Sequence, residues 1–153
     1  MPFAESGGIR IYYDDRGEGK PVILCLPGWC NDHTIIAPIA ERLSADHRVL
    51  AMDWRGHGDS QASDRDSGFA ENAVDALAVI EASGARSVIP IAQGQAPWVT
   101  IEMRRHLGER MPKIVASSWP VISPVGIRLH PAFWVRSGRC SITSVGERGL
   151  SNC

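Results

Sequence analysis

The chain reads as an α/β protein, a mostly parallel sheet with helices on both faces, and three observations predict it. Short apolar runs alternate with segments of helical period over residues 9–117, which is the signature of β–α–β units. Two of these runs end in tight turns: Val22–Leu26 passes into Pro27-Gly28-Trp29-Cys30, and Arg48–Met52 into Asp53-Trp54-Arg55-Gly56-His57-Gly58-Asp59-Ser60. A third run, Ser87–Ala92, meets a segment with Pro97 where a helix accepts proline, in its first turn. Loops at the carboxyl ends of strands build the site in an open sheet of this class, so these turns are where function is expected.

The elements follow in order. Gly8–Asp15 is predicted as the first strand, with Ile9, Ile11 and Tyr13 on one face, and Arg16–Lys20 turns the chain before Pro21 opens the next strand. Asn31 or Asp32 caps a helix to about Leu43, whose Ile35, Ile36, Ile39, Ala40 and Leu43 fall at helical spacing. After the Arg48–Met52 strand, a polar loop leads to a helix over Phe69–Ala82, with Ala73, Leu77 and Ile80, and Val74 and Ala78 beside them, suited to packing on a sheet. Ser83-Gly84 ends it. The strand Ser87–Ala92 precedes a helix with Trp98, Ile101 and Leu107 on its apolar side, stopped by Gly108, and Lys113–Ser117 is the last clear strand.

Composition narrows the function classes. At 153 residues, 44% apolar and 22% charged, the chain suits one globular domain with a real core. A net charge of −1 gives no case for nucleic acid or an anionic membrane as partner. The start carries no basic segment followed by an apolar run, and no stretch approaches the length of a membrane span. The cysteines at 25, 30, 140 and 153 lack metal-ligand spacing and read as reduced thiols of a cytoplasmic protein. Oligomeric state is left open.

Residues 1–123 and 124–153 differ in texture. From Val121 onward there are four arginines, one acid (Glu147), five serines and four glycines, without sustained helical or strand periodicity. Natural domains rarely end in a structureless stretch this long. Two readings stand: a disordered tail, or a reading frame lost near Pro124. Phe133, Trp134 and two cysteines are odd choices for a solvated tail.

Chemistry concentrates at the corner between strand 87–92 and helix 97–107. A nucleophile elbow places a serine there, on a strained strand-to-helix turn. This chain has Ala92-Gln93-Gly94-Gln95-Ala96. Gly94 offers no nucleophile, and the amides of Gln93 and Gln95 donate and accept hydrogen bonds but act neither as nucleophile nor as base. An acyl-enzyme formed at this position is excluded. What remains is a dead hydrolase, or a site that binds a polar ring and reacts without a nucleophile. His57 is expected as a turn histidine, while His33, His47, His106 and His130 have no acidic partner at recognisable spacing.

Three segments carry a resemblance: Leu26-Pro27-Gly28-Trp29-Cys30-Asn31-Asp32-His33, Asp53-Trp54-Arg55-Gly56-His57-Gly58, and Pro90-Ile91-Ala92-Gln93-Gly94-Gln95-Ala96-Pro97-Trp98-Val99. In these the chain resembles the cofactor-independent 2,4-dioxygenases of the α/β-hydrolase fold, which open 3-hydroxy-4-oxoquinoline rings with O2 and release CO. The resemblance spans about residues 10 to 124 and implies the N-terminal portion of that fold. It implies a small aromatic N-heterocyclic substrate, O2 as co-substrate, and neither metal nor flavin. A backbone N–H of the Pro27-Gly28 turn belongs to the oxyanion hole in this fold, and Trp29 would wall the pocket.

The pocket positions implied are Trp29, Cys30, Gln93, Gly94, Gln95, Ser118 and Trp119. The family's serine falls on Gly94, its flanking histidines on Gln93 and Gln95, and its aspartate on Ser118. The family's base histidine lies beyond the end of this chain, and His130 is not at its position. No catalytic residue is therefore assigned. The chain is expected to be truncated, of low stability or in need of a partner, and of little or no activity alone. An ester or amide hydrolase and a non-catalytic small-molecule binding protein are the alternatives.

Overall fold

Strand pairing follows the two-residue alternation of the apolar runs. The computed structural model describes residues 2–117 and 141–144. Its elements are β1 (Phe3–Ser6), β2 (Ile9–Arg16), β3 (Val22–Leu26), α1 (His33–Leu43), β4 (Val49–Met52), α2 (Phe69–Ala82), β5 (Val88–Gln93), α3 (Ala96–Leu107), β6 (Lys113–Ser117) and β7 (Ser141–Ser144). These strands form one sheet in the order β1-β2-β4-β3-β5-β6-β7. β4, β3, β5, β6 and β7 run parallel, while β1–β2 and β2–β4 are antiparallel.

Leu24 pairs with Leu50 on one side and Pro90 on the other, which sets the register of the sheet centre. Even-numbered Val22, Leu24 and Leu26 join Leu50, Met52 and Val88 on the face covered by α2 and α3. Odd-numbered Ile23 and Cys25 join Val49 and Ala51 on the face covered by α1. Both faces of β3 and β4 are thus buried, whereas the face of β5 and β6 that carries Ile89, Ile91 and Val115 is only half-buried, short of the two-sided cover that parallel sheets normally have. Proline is rare inside a sheet because it has no N–H for the ladder. Pro90 is tolerated in β5 because pairing with β6 begins only at Ile91.

The structure differs from the sequence-based expectation in five places. An additional strand, β1, pairs with β2; with four residues and one buried side in alternation, it carries too little periodicity to stand out. On α1, Ile35 and Ile39 are exposed, and Ile36 and Ala40 make the contact with the sheet. On α2 the buried stripe is Asn72, Ala73, Asp75, Ala76, Val79 and Ile80, with Val74 facing solvent; on α3, Ile101 is exposed and Val99, Thr100 and Met103 are buried. In each helix the apolar residues at the boundary of the stripe misplace its centre, and in α2 and α3 the polar side chains of Asp75 and Thr100, each with a hydrogen-bond partner of its own, occupy part of it. Finally, β7 lies within the region read as lacking strand periodicity, and pairs with β6 from Lys113↔Ser141 to Ala116↔Ser144. The rest of 124–153, and with it the choice between disorder and a lost frame, lies outside the described residues.

Asp75 explains one of those polar residues. It is fully buried, and Arg55 reaches it from the turn after β4, with Nε donating to Oδ2 at 2.6 Å. The pair holds that turn against α2, and the carboxylate raises the Arg55 guanidinium above its ordinary value. Removing one member of a buried pair leaves an uncompensated charge. Arg55→Ala is expected to lower stability by about 3–5 kcal/mol, read as a fall in the urea midpoint at unchanged slope. The double change Arg55→Met/Asp75→Leu is expected to recover most of it, and a double variant as unstable as the single one would rule the account out.

Cys25 lies in the sheet with no exposed surface, and burial pushes its thiol up to about 12. Cys30 is exposed. A buried neutral thiol does not react as thiolate. Iodoacetamide at about pH 8 is therefore expected to label Cys30 and to spare Cys25 until the sheet unfolds, as peptide mapping would read.

Candidate functional site

Three turns at the carboxyl ends of β3, β4 and β5 meet at one edge of the sheet. Each is shaped by the residue that the local backbone demands. The turn after β4 needs left-handed residues at 56 and 58, and glycine supplies both, at φ 72 and φ 51. At Gly58 a side chain would run into the Asp53 carboxylate and Asp32. The turn after β5 places Gly94 at φ 59, the left-handed corner from which a strand passes directly into α3. Its N–H donates to Ser117 O at 3.1 Å, fixing the corner to β6.

Asp53 ties the first two turns together. It is fully buried and accepts N–H donors from both sides: the backbone N–H of His33, and that of Asp59 at 2.9 Å. The His33 ring places Nδ1 2.9 Å from both carboxylate oxygens. Ser60 Oγ adds a second bond by donating to Asp53 O at 2.9 Å, and accepts the Tyr12 N–H. The indole N–H of the buried Trp54 donates to Pro27 O at 2.8 Å. The turn that carries Trp29 is thus held by the turn that carries His57.

This corrects one expectation. His33 has an acidic partner, Asp53, twenty positions along the chain. Spacing along the sequence hides it, but adjacency of parallel strands reveals it: β3 and β4 are neighbours, so the first residues beyond their ends must meet. The expectation for His57 holds, since its Nδ1 lies 3.1 Å from Arg55 O and its ring stands edge-on to Trp29 at 5.6 Å between centroids. At the head of α1, Asp32 is the cap, accepting the Thr34 N–H at 2.9 Å, and the Thr34 hydroxyl with that N–H holds its carboxyl below the usual range.

Trp29 is 47% exposed, a large apolar surface left at the mouth of the site. Cys30 beside it sits at φ 61, the one non-glycine residue with positive φ among those described. Gln93 is half-buried, and its Oε1 is buried without a hydrogen-bond partner among the described residues. Gly94 and Gly28 approach closely, so that a Cβ at 94 would lie 3.4 Å from Gly28 Cα. Gln95 is exposed and lines a shallow, open surface depression with Trp29, Trp54, Phe69 and Asn72. Trp29, Gln93, Gly94 and Gln95 are therefore brought to one edge. Ser118 and Trp119 lie outside the described residues.

The arrangement offers an aromatic wall, two carboxamides and a corner with no nucleophile. His33, Asp53 and Asp59 place potential metal ligands within 4.8 Å of one another, yet both Asp53 oxygens are already taken up by protein donors. Asn72 escaped the sequence reading because an asparagine on a helix has no motif; its signal is its position one turn into α2, on the stripe facing the site.

Residues 23–147 match the model of the family described as "Alpha/beta hydrolase family". Over 130 residues the chain is 32% identical to 1H-3-hydroxy-4-oxoquinoline 2,4-dioxygenase of Pseudomonas putida, covering 84% of this chain and 47% of that protein. It is 37% identical over 83 residues to 2-heptyl-3-hydroxy-4-quinolone dioxygenase AqdC1 of Rhodococcus erythropolis, covering 54% of this chain and 30% of that one. A solved structure of an AqdC variant in complex with its substrate, on recognition and ring cleavage of the Pseudomonas quinolone signal, superposes with a TM-score of 0.72 at 30% identity, covering 77% of this chain and 45% of that one. The chain spans less than half the length of these relatives.

Asp53→Asn would turn an NH2 donor toward N–H groups that need acceptors. It is expected to cost about 2–3 kcal/mol, the worth of hydrogen bonds to a charged group, and to blue- or red-shift tryptophan emission as the Trp29 turn loosens. His33→Ala removes only one of the donors and is expected to cost less. Thermal unfolding of both variants checks the order; equal losses would show that the ring contact, not the carboxylate, holds the turns.

Proposed function

We propose that this chain, which belongs to the alpha/beta hydrolase family, carries the ring-binding edge of a cofactor-independent 2,4-dioxygenase acting on 3-hydroxy-4-oxoquinolines. The observation that carries the reading is the elbow. Its backbone is built for a nucleophile, at φ 59, and its residue is Gly94. Covalent ester or amide hydrolysis from that corner has no attacking atom. A reaction between an electron-rich ring and O2 needs none from the protein: deprotonating the 3-hydroxyl makes the ring the electron donor.

In that reaction one oxygen atom goes to each of ring carbons 2 and 4, and carbon 3 leaves as CO. The protein's tasks are to hold the ring, to keep water away and to remove the proton. Trp29 suits the first two, offering an aromatic face at the mouth. Gln93 and Gln95 offer hydrogen bonds to polar ring substituents. The proton-removing dyad of the resembled dioxygenases is not assigned to residues here, since Ser118 stands where they have aspartate. That substitution favours a second reading, a ring-binding protein without turnover. Cys25 and Cys30, free thiols among the described residues, support a reducing, cytoplasmic setting. No helix among the described residues is long and apolar enough to cross a membrane.

The test is to mix the chain with 3-hydroxy-4-oxoquinoline in air, without added metal or flavin. Quenching of tryptophan fluorescence is expected, weakened roughly tenfold or more by Trp29→Ala. O2 uptake matched by CO release would establish the dioxygenase; quenching alone would establish the binding protein. Turnover of an activated ester, lost on changing Trp29, would overturn both in favour of a hydrolase.

A further inference from the structure

The depression between the first turns of α2 and α3 contains a group that the fold leaves unmatched. Asn72 is 3% exposed, and its Oδ1 is buried with no hydrogen-bond partner among the described residues. Buried carboxamides normally find partners, because an unpaired one has lost its water for nothing. The adjacent indole N–H does not serve, since Trp54 donates to Pro27 O. A leucine would suit the same position on the buried stripe of α2. Around Asn72 the lining is aromatic, and two of its members, Trp29 and Phe69, are 47% and 45% exposed. Exposed aromatic rims around one convergent polar group are the make-up of a small-molecule site.

We propose that Asn72 is the specificity-determining residue of this cleft, its Oδ1 accepting an N–H or O–H donor on the edge of a flat aromatic ligand held between Trp29 and Phe69. The inference rests on the ring-binding reading above and deepens it: the aromatic side chains take the faces of the ring, and Asn72 reads its donor edge. The lone acceptor makes the site selective by what it rejects. A ring that lacks the donor leaves Oδ1 buried and unpaired, so it loses affinity out of proportion to its change in size.

The experiment uses the full 153-residue chain and two probes, 3-hydroxy-4-oxoquinoline with its ring N–H and the N-methyl analogue without it. Binding is followed by tryptophan quenching, stability by thermal unfolding. The chain is expected to prefer the N–H ring by roughly tenfold or more. Asn72→Leu is expected to bind both rings alike and to unfold at a higher temperature, since it removes an unpaired buried acceptor. Asn72→Asp, which keeps an acceptor, is expected to retain the preference. Should the leucine variant not fold, the smaller Asn72→Ala, which also lacks an acceptor, carries the same comparison. Equal affinity of the unaltered chain for both rings overturns the role of Asn72 and leaves ring binding standing. A lowered unfolding temperature with the preference intact assigns Asn72 to structure and also overturns it. Failure of both rings to bind removes the ring-binding reading and this inference with it.

Discussion

The site rests on one buried carboxylate. A charge with no access to water must be met by donors, and Asp53 recruits them from two different turns. The need is mutual. The N–H of His33 belongs to the first turn of a helix, and that of Asp59 to a tight turn, so neither has a ladder partner to hand. By answering all of these at once, Asp53 converts two loops into one rigid unit. Trp54 adds the second fastening, since its indole reaches back to Pro27 O. Everything that faces the cleft from this side, Trp29 and His57 included, is positioned through those two residues.

The elbow shows how far a backbone can be separated from its chemistry. The left-handed corner at residue 94 persists because β5 must pass into α3 within two residues, and the bond from Gly94 N to Ser117 O ties it down. For any other residue that corner carries strain, which a serine nucleophile repays through catalysis. Glycine adopts it freely. The corner is thus relaxed in this chain, and the space a side chain would fill opens toward Gly28.

Most of the fold was legible because it is written in short-range pattern. Phe69–Ala82 and Lys113–Ser117 have the bounds expected of them, and the Asp32 cap marks the start of α1 by its own chemistry. What escaped was decided by contacts between distant residues. Val74 looks apolar in sequence, yet Asp75 takes the inward position because Arg55 waits there. His33 looks unpartnered until β3 and β4 are laid side by side. The candidate site was legible where a turn has a motif, at Trp29 and at 93–95, and illegible at Asn72, whose meaning comes from what fails to surround it. Ser118 and Trp119 are placed by resemblance alone.

The strand order has a kinetic side. β1 and β2 are joined by a short turn and can pair as soon as they exist, whereas Val22 must find Val88 and Lys113 must find Ser141. Pairings across such separations close large loops before they gain any contact, and parallel ladders are slow for that reason. β3, buried along its whole length, is made early and finds β5, its neighbour on one side, only after two helices have intervened. Until then Val22–Leu26 is an apolar edge open to other chains. Yield on refolding should thus depend on how dilute the protein is while that strand waits.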